Sequence, residues 1–502
     1  MVSFYVKTLG HGYYYEIFEL VKNILPQSNV KEVKDEKVDI SRHSFLLESI
    51  LIKEVSPKTI TKLYTPADIF MCVSELYYRS KEDDIQYKKE LKRLVKTGVI
   101  EVMKRTFPER NFDWGILTGM RPTKIVHEML DKKYGKQKII SSLITHYKLN
   151  KSKAELLLEI ALSQRKVLKN NSENKVSVYI GIPFCPSKCL YCSFPSFSIK
   201  KWGHLEDEFV ENLIKEIEAI GSFLLKNNVK SETVYLGGGT PTSISLKNME
   251  KILKNIRLYF ADNKEFTVEA GRPNTLDREM MSLMKDYGVT RISINPQTMN
   301  DKTLRIIGRK HTSEDVIKAF YKARDTGFDN INMDLIIGLP GESLKDFRKS
   351  LNKVITLKPE NITVHTLAIK RASELNKKLG EIELPKTKTV NAIMDFALQC
   401  LRDNGYLPYY LYRQKKMLGN LENIGFCLPG KACVYNVQII EERQTIIGLG
   451  VGGVTKALDV ETLEFNRIPN VKDIMNYNRR IDEMILRKLE NPILQKTLAK
   501  QQ

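Results

Sequence analysis

Residues 176–192 read Val-Ser-Val-Tyr-Ile-Gly-Ile-Pro-Phe-Cys-Pro-Ser-Lys-Cys-Leu-Tyr-Cys, and they are the most informative segment of the chain. Its first seven residues alternate between apolar side chains and small or polar ones, a pattern that predicts a β-strand. The proline at 186 and the lysine at 188 favour a loop after that strand. We call residues 185–192 the cysteine loop, because it presents Cys185, Cys189 and Cys192 within eight positions.

The spacing of these cysteines indicates metal binding. Cysteine thiolates ligate iron–sulfur clusters, and a four-iron cluster normally takes four of them. Three clustered cysteines without an obvious fourth leave one iron open to an external ligand. A zinc site would usually add a second cysteine pair or a histidine, yet no histidine lies within ten residues of the loop. Buried structural cysteines are the remaining alternative, and the spacing favours the cluster over both.

Five further strand-like runs follow, and helical patterns separate them. Together with 176–182, the predicted strands are 233–236, 266–270, 291–295, 332–337 and 362–367. One separating helix is predicted by apolar residues on a single face, namely Phe209, Leu213, Ile217, Ile220 and Leu224. Another begins at the capping-box pair Thr312 and Asp315, with Gly327 as its stop. Strands alternating with helices predict parallel βαβ units in an α/β barrel, with functional groups at the carboxyl ends of the strands.

A glycine-rich turn ends the second predicted strand, in the run Tyr235-Leu-Gly-Gly-Gly-Thr-Pro-Thr242. Three successive glycines remove every Cβ where the backbone must approach another group closely. A tight turn without a ligand is the simpler alternative. The position of the glycines, after a strand and one helix beyond the cysteine loop, favours a ligand-binding turn.

The cysteine loop, with the aromatic Tyr191 directly before the third cysteine, resembles the signature of the radical S-adenosylmethionine (SAM) superfamily. The resemblance implies a 4Fe-4S cluster whose open iron binds the amino and carboxylate groups of SAM. It also implies that Tyr191 lies beside the adenine and that the glycine-rich turn binds the methionine ammonium. The contacts expected on this turn are Gly238, Gly239 and Thr240.

Further matches indicate one branch, the oxygen-independent coproporphyrinogen III oxidase (dehydrogenase) family. The run from Tyr179 to Cys185 resembles the first barrel strand of that family. Glu269 matches a carboxylate that contacts SAM, and Asp334 a carboxylate that binds its ribose. The resemblance implies a set of SAM-site residues in register with the strand ends: Tyr179, Glu269, Gln297, Arg309, Asp334, Ile336 and Ala368. Taken singly, each has a simpler explanation as an ion-paired, exposed or core side chain.

Three features depart from the pattern of that family. A fourth cysteine, two positions after the third, is replaced by Phe194, and a histidine of the first barrel strand by Gly181. An unrelated N-terminal domain stands where those enzymes have a segment that covers the substrate. This combination resembles the HemZ-like branch. The departures leave the radical chemistry untouched but open the question of the substrate, because relatives with an altered cysteine motif include haem carriers and enzymes that methylate haem and open its ring.

The chain is therefore predicted to have three parts. Residues 1–170 form an N-terminal α+β domain of unassigned role, 175–375 a partial (β/α)6 radical SAM barrel, and 376–502 a small C-terminal region that resembles tetrapyrrole oxidases. The polar run 169–174 marks the first boundary. Past residue 375 the pattern loosens, with one helix predicted near 389–402.

The resemblance implies a radical enzyme acting on a tetrapyrrole. The expected reaction is oxidative decarboxylation of two propionates of coproporphyrinogen III to vinyl groups, giving protoporphyrinogen IX in anaerobic haem biosynthesis. A haem-degrading radical SAM methyltransferase and a non-catalytic haem chaperone are the alternatives. The residues expected to be catalytic are the three loop cysteines and Arg309. Basic side chains at the barrel mouth, Arg291, Arg309 or Arg371, are expected to hold substrate carboxylates, and His365 to be a hydrogen-bonded core residue.

Composition bears on location and partners. The net charge is +20, but the lysines are spread among acidic residues and no arginine-rich tail occurs. Nucleic acid is therefore not an expected partner. The positive net charge nevertheless keeps a radical enzyme that modifies RNA as a further alternative function. The chain shows neither a long apolar run nor a signal-peptide pattern, so we expect a cytoplasmic protein without a membrane span. A low-potential electron donor such as flavodoxin or ferredoxin is the expected protein partner.

Overall fold

The structure is a computed structural model that describes residues 2–34, 38–41, 43–76, 84–169, 174–459, 461–462 and 464–499. The chain forms two compact units. The first consists of Met1–Ala161 and Tyr412–Glu422, and the second of Leu162–Leu411 and Asn423–Gln502. Residues 170–173 of the predicted linker lie outside the described residues. The sequence carries no sign that residues 412–422 belong to the first unit.

The first unit is built on a five-stranded mixed sheet. Its strands are β1 (Ser3–Leu9), β2 (Asn29–Glu32), β3 (Ser44–Ile52), β4 (Lys58–Tyr64) and β5 (Ile69–Glu75). They lie in the order β2-β1-β3-β4-β5, with β1 parallel to both neighbours and β3, β4 and β5 antiparallel. The helices that begin in this unit are α1 (Tyr14–Ile24), α2 (Asp84–Thr106), α3 (Thr123–Asp131), α4 (Lys136–Tyr147) and α5 (Lys151–Leu168).

Helices α1 and α2 pack on one face of this sheet. Helix α1 buries Ile17, Leu20, Val21 and Ile24, which recur at the spacing of one helical face. Alternate residues of the strands, such as Phe4 and Val6 of β1, meet that face in a fully buried apolar core. Removing this apolar surface from water stabilises the unit.

The second unit is built on a sheet of eleven described strands. Its six central strands are β6 (Lys175–Ile182), β9 (Lys230–Gly238), β10 (Glu265–Glu269), β11 (Arg291–Ser293), β12 (Ile331–Ile337) and β13 (Asn361–Thr366). They are parallel neighbours in this order. The short strands β7 (Phe184–Cys185) and β8 (Phe197–Ser198) pair with each other. The predicted α/β class with six successive parallel strands is confirmed.

Helices connect the central strands. They are α6 (Ile199–Trp202), α7 (Glu206–Lys226), α8 (Leu246–Tyr259), α9 (Arg278–Asp286), α10 (Asp301–Ile306), α11 (Ser313–Asp325) and α12 (Leu344–Leu357), followed by α13 (Glu374–Lys377) and α14 (Thr387–Asp403). All five apolar residues predicted on the face of α7 are buried. Thr312 and Asp315 form the predicted capping box of α11, and Gly327 follows its end with a φ of +89°. None of the described helices is both long and apolar enough to cross a membrane.

The C-terminal residues extend the sheet at both edges. Strands β14 (Leu407–Tyr412) and β15 (Asn423–Cys427) continue it beyond β13, while β16 (Ile446–Gly450), β17 (Val454–Leu458) and β18 (Phe465–Pro469) continue it beyond β6. The remaining helices are α15 (Val434–Glu441), α16 (Ile474–Arg479), α17 (Ile481–Leu489) and α18 (Pro492–Ala499). These strands were not predicted from the sequence, and the predicted boundary after residue 375 stays a prediction.

A buried ion pair attaches the C-terminal helices to the barrel. Lys488 Nζ of α17 lies 2.7 Å from Glu216 Oε1 of α7, and both side chains are 0% exposed. Glu216 also accepts hydrogen bonds from the Tyr477 hydroxyl at 2.6 Å and the Gly450 N–H at 2.8 Å. Because both charges are fully hydrogen-bonded, the pair is tolerated in the core, whereas loss of one partner would leave a buried charge uncompensated.

Candidate functional site

The cysteine loop lies at the carboxyl end of β6 and is fixed by backbone hydrogen bonds. The N–H of Leu190 donates to the carbonyl of Ile307 at 3.1 Å, and the N–H of Leu375 donates to the carbonyl of Leu190 at 2.8 Å. The pairing of β7 with β8 holds the start of the loop. Of its thiols, Cys185 and Cys189 are buried and Cys192 is half-buried. The loop therefore brings three thiols to one end of the parallel sheet.

Two arginines surround the thiol of Cys189. Arg272 Nη2 donates to Cys189 Sγ at 2.9 Å, and Arg309 lies on the same side of the loop, with Nη2 3.5 Å from the Tyr191 hydroxyl. Burial raises the pKa of the Cys185 thiol to about 11. At Cys189 burial acts in the same direction, but the positive charges of Arg309 and Arg272 outweigh it and hold the pKa below its usual value. The loop thus favours a thiolate at Cys189.

The donor set fits the predicted iron–sulfur cluster. Among the described residues, no three Cys, His, Asp or Glu side chains converge on a single metal ion. A four-iron cluster makes a different demand, because each thiolate binds a separate iron. Cys433 and Cys427 lie at the opposite end of the strands: Cys433 Sγ is 3.2 Å from Glu265, the first residue of β10, and Cys427 pairs with Asn361, the first residue of β13. Phe194, at the position of the family's fourth cysteine, is 67% exposed.

The glycine-rich turn forms a backbone cradle that packs too closely against its neighbours to leave room for a side chain. A Cβ on Gly239 would lie 2.4 Å from the carbonyl oxygen of Phe184. Gly238 has a φ of +107°, which L-residues with a side chain rarely adopt. Thr240, the third predicted contact of the turn, instead directs its hydroxyl toward Cys185 Sγ at 3.5 Å. The turn therefore lies directly against the cysteine loop.

Glu269 ends β10 beside this turn. Tyr235 OH donates to its Oε1 at 2.7 Å, and a Cβ on Gly237 would come within 3.2 Å of its Oε2. Burial raises the pKa of Glu269 to about 7, although hydrogen bonds from Tyr235 and from the backbone of Gly238 oppose this shift. Burial makes this carboxylate costly to ionise, and a cation beside it would offset that cost. With the glycine cradle next to it, the position therefore suits a cationic amine.

Three tyrosines line the interior at the level of Glu269. The rings of Tyr235 and Tyr435 stack with centroids 4.4 Å apart, and Tyr179 stacks on each of them at 6.2 Å. Tyr179 and Tyr235 face each other because β6 and β9 pair in register at these residues. Tyr435 comes from α15, more than 190 residues further along the chain. The result is a cluster of three mutually stacked rings beside Glu269.

Asp334 lies on β12, three residues before the end of that strand. Asn332 donates to its Oδ1 at 2.8 Å, and His365 Nε2 lies 3.6 Å from its Oδ2. Burial would raise the pKa of Asp334, but its hydrogen bonds with His365 and Asn332 outweigh that effect and hold the pKa below the usual value. Asp334 is therefore an ionised acceptor that suits a diol such as a ribose. His365 is the expected partner of a polar group, but its side chain is 25% exposed, so the prediction of a core position is wrong.

The remaining predicted SAM contacts lie at the same strand ends. Gln297 has a left-handed backbone with a φ of +68°, and its N–H donates to the carbonyl of Asp334 at 2.8 Å. Ile336 returns a hydrogen bond from its N–H to the Gln297 carbonyl at 2.9 Å and is buried. Ala368 is half-buried and follows β13. These positions lie together, while their contacts with SAM stay predictions.

Arg309 is a buried structural donor within the site. Its Nη1 donates to the carbonyls of Gly271 at 3.1 Å and Asn295 at 2.5 Å. Its Nε has no hydrogen-bond partner, although the residue is only 7% exposed. An orphaned buried N–H fits the expected contact with a ligand. Whether Arg309 contacts SAM or substrate stays a prediction.

Arg291 was expected at the barrel mouth, and this prediction is wrong. It is the first residue of β11 and therefore lies at the amino end of the strand, where it is 2% exposed. Its Nη2 donates to the Lys431 carbonyl at 2.8 Å and lies 3.7 Å from Glu265. Arg371 is exposed and follows β13, at the carboxyl end. Of these two arginines, only Arg371 lies at the end of the strands where a ligand is expected.

Sequence reasoning missed Arg272 and the ring contacts of Tyr435. Arg272 follows Glu269 by three residues, so a charged residue in the loop after a predicted strand was the available signal. The signal for Tyr435 was weaker, because this residue lies far from the barrel strands in the sequence. At Gly181, where the family has a histidine, a Cβ would lie 2.8 Å from the Val451 carbonyl oxygen. The close approach of the C-terminal strands explains this replacement.

Comparisons with known proteins agree with this geometry. Residues 179–354 match the family model of the radical SAM superfamily. The oxygen-independent coproporphyrinogen-III oxidase-like protein HemZ of Bacillus subtilis is 44% identical over 374 residues, which cover 74% of this chain and 75% of that protein. The heme chaperone HemW of the same organism is 33% identical over 238 residues, 46% of this chain and 62% of that one. Among solved structures, coproporphyrinogen III oxidase (HemN) from Escherichia coli superposes with a TM-score of 0.52 at 22% identity, over 65% of this chain and 73% of that chain, which shows a common fold.

Proposed function

Because this chain belongs to the radical SAM superfamily, and within it to the HemZ-like oxygen-independent coproporphyrinogen-III oxidase-like family, we propose that it performs radical chemistry on a tetrapyrrole. The proposed reaction is the oxidative decarboxylation of two propionates of coproporphyrinogen III to vinyl groups. The observation that carries the proposal is the three-cysteine loop beside acidic and tyrosine-lined strand ends, in a chain whose relatives bear haem-related names.

The cofactors of this superfamily are a 4Fe-4S cluster and SAM, and the residues present fit both. The three loop cysteines would hold the cluster, Glu269 and the glycine turn the methionine ammonium, and Asp334 the ribose. The chemistry supplied by the bound cofactors is the reductive cleavage of SAM to a 5′-deoxyadenosyl radical, which removes a hydrogen atom from the substrate. The surrounding side chains orient SAM and exclude water from the strand ends.

The tetrapyrrole would bind at the carboxyl ends of the strands. The stacked rings of Tyr179, Tyr235 and Tyr435 would offer aromatic contacts near those ends to the pyrrole rings of the substrate. Lys370, whose pKa burial lowers, and the exposed Arg371 follow β13 and would pair with substrate carboxylates. Each reacting propionate would lose one hydrogen atom, one further electron to an external acceptor, and carbon dioxide.

We also propose that the electron donor is an acidic carrier protein such as a flavodoxin or ferredoxin. The cysteine loop and the two segments bonded to its backbone carry exposed cations that would form a basic face: Lys188, Arg305, Lys310, Lys378 and Lys377, the last of which is ion-paired with Glu374 at 2.8 Å. Such a face would steer an acidic partner toward the cluster. Reversing the charge of Lys188, Lys310 and Lys378 should slow cluster reduction by flavodoxin but not by dithionite, while the same change in exposed lysines of α12 should slow neither.

Anaerobic turnover tests the substrate. Cluster-loaded protein, SAM and reductant are incubated with coproporphyrinogen III or haem, and the products are analysed by mass spectrometry. Loss of two carboxyl groups from coproporphyrinogen III is the expected result, and a Cys192→Ala variant is the control without catalysis. A methylated, ring-opened haem product would refute the proposed decarboxylation and indicate haem degradation instead.

A non-catalytic haem chaperone is the second candidate, and the similarity to HemW proteins favours it. It predicts stoichiometric haem binding that persists when SAM is omitted, and no change in either tetrapyrrole. Haem titration followed by size-exclusion chromatography distinguishes the two candidates, because a decarboxylase should retain haem only weakly.

A further inference from the structure

Arg272 reaches the cysteine loop from the neighbouring strand end. It follows β10 and is only 4% exposed. Its Nη2 donates to Cys189 Sγ at 2.9 Å and to the Ser187 carbonyl oxygen at 2.9 Å. The sulfur here belongs to a free cysteine and represents the thiolate that would bind iron. One guanidinium therefore holds both the backbone of the loop and one of its thiols.

The charge of Arg272 has no carboxylate to balance it. Among the residues that the structure describes, neither Arg272 nor the adjacent Arg309 forms an ion pair with Asp or Glu. Two buried guanidinium groups side by side repel each other, so a stable site requires an anion between them. In the described chain, the acidic groups that interact with both guanidiniums include the Cys189 thiol and the Tyr191 hydroxyl, and burial raises the pKa of that hydroxyl, so it is neutral.

A four-iron cluster held by three thiolates supplies that anion. One-electron reduction adds a further negative charge to the cluster. A buried positive charge and an N–H···S hydrogen bond both favour the reduced, more negative form, and they are among the factors that set the potentials of iron–sulfur proteins. We therefore infer that Arg272 is a positioning residue that raises the reduction potential of the cluster through its contact with Cys189.

This inference concerns the cluster alone and does not depend on the tetrapyrrole. It predicts a graded series, because glutamine removes the charge of Arg272 whereas lysine keeps it and loses the fork that holds Ser187 and Cys189 together. Arg291→Gln is the matched control: Arg291 is equally buried but lies at the amino end of the strands, away from the cysteine loop.

The experiment is a redox titration of the cluster followed by electron paramagnetic resonance, on full-length, cluster-loaded protein without substrate. In Arg272→Gln the ratio of reduced to oxidised cluster at a fixed potential should fall at least tenfold, a shift of about 59 mV for one electron. Arg272→Lys should lie between this variant and the wild type, and Arg291→Gln should match the wild type. Resonance Raman bands of the iron–thiolate bonds should shift in Arg272→Gln and stay unchanged in Arg291→Gln.

Two results would overturn the inference. One is a wild-type potential in an Arg272→Gln protein that carries a full cluster. The other is failure of both Arg272 variants to take up iron while their circular dichroism is that of the wild type, which would leave only a role in shaping the loop. Failure of the decarboxylation assay, by contrast, would not affect this measurement.

Discussion

Replacing Glu269 by glutamine should stabilise the folded chain while it weakens the binding of SAM. Glu269 is partly buried beside Tyr235, and burial raises its pKa from the ordinary value of 4.5 to about 7. A carboxyl group whose pKa is higher in the folded chain than in the unfolded chain lowers the free energy of unfolding at any pH at which the group is ionised. Glutamine keeps the shape and an acceptor for Tyr235 but removes that charge.

The size of the effect follows from the pKa. A rise from 4.5 to about 7 corresponds to up to about 3 kcal/mol in the free energy of unfolding. Because the pKa is higher in the folded chain, the loss in the free energy of unfolding is fully present above pH 7. It shrinks as the pH falls through 7 and vanishes below about pH 4.5. Loss of a charged hydrogen-bond acceptor for the SAM ammonium should in turn weaken binding by about 1.5–3 kcal/mol, or roughly tenfold to more than a hundredfold.

Thermal unfolding of the cluster-free protein at pH 5 and pH 8, followed by circular dichroism, measures the first effect. Calorimetric titration of the cluster-loaded protein with SAM measures the second. Glu342→Gln is the matched control, because burial also raises the pKa of Glu342 to about 7 and this side chain is 4% exposed, but it bonds to Thr298 outside the site. The control should gain stability at pH 8 and keep the SAM affinity of the wild type.

The reasoning fails if Glu269→Gln is no more stable than the wild type at pH 8, or if its advantage does not shrink toward pH 5. Unchanged SAM affinity in a stabilised variant would instead remove Glu269 from the SAM site and leave the account of its burial intact. In the wild type, SAM affinity should also fall as pH drops below about 7, and this dependence should be absent from the variant.

Three other changes test the rest of the structure. Alanine at any cysteine of the cysteine loop should abolish iron uptake measured by chemical iron assay, whereas Cys427→Ala should load normally; iron retained in a loop variant would contradict the assignment. Lys488→Met should lower the free energy of unfolding in urea by about 3–5 kcal/mol, because Glu216 then stays buried without its partner, and a loss below about 1 kcal/mol would show that water reaches the pair. Gly239→Ala should abolish SAM binding in calorimetry, since its Cβ would lie 2.4 Å from the Phe184 carbonyl oxygen; retained affinity would mean that the turn can move.

Local pattern was enough to predict the strand ends. The alternation in 176–182 and in the later apolar runs reports which side chains are buried on a pleated strand, and the capping box of Thr312 and Asp315 reports where a helix begins. Both signals depend on residues that are close in sequence. Since parallel strands connected by helices align their carboxyl ends, the grouping of the cysteine loop with Glu269 and Asp334 could be predicted as well.

The class of fold, the three thiols and the order of the strands that present them could be predicted from sequence pattern. The surroundings of the thiols could not: that Arg272 contacts Cys189, that Tyr435 stacks on Tyr235, and that Arg291 lies at the far end of its strand are visible in the structure alone. It also placed strands from the C-terminal residues on both edges of the sheet. Such contacts join residues between 60 and 269 positions apart in the sequence, and their partners are selected by packing and by the balance of buried charge. Periodicity along the chain carries no information about either.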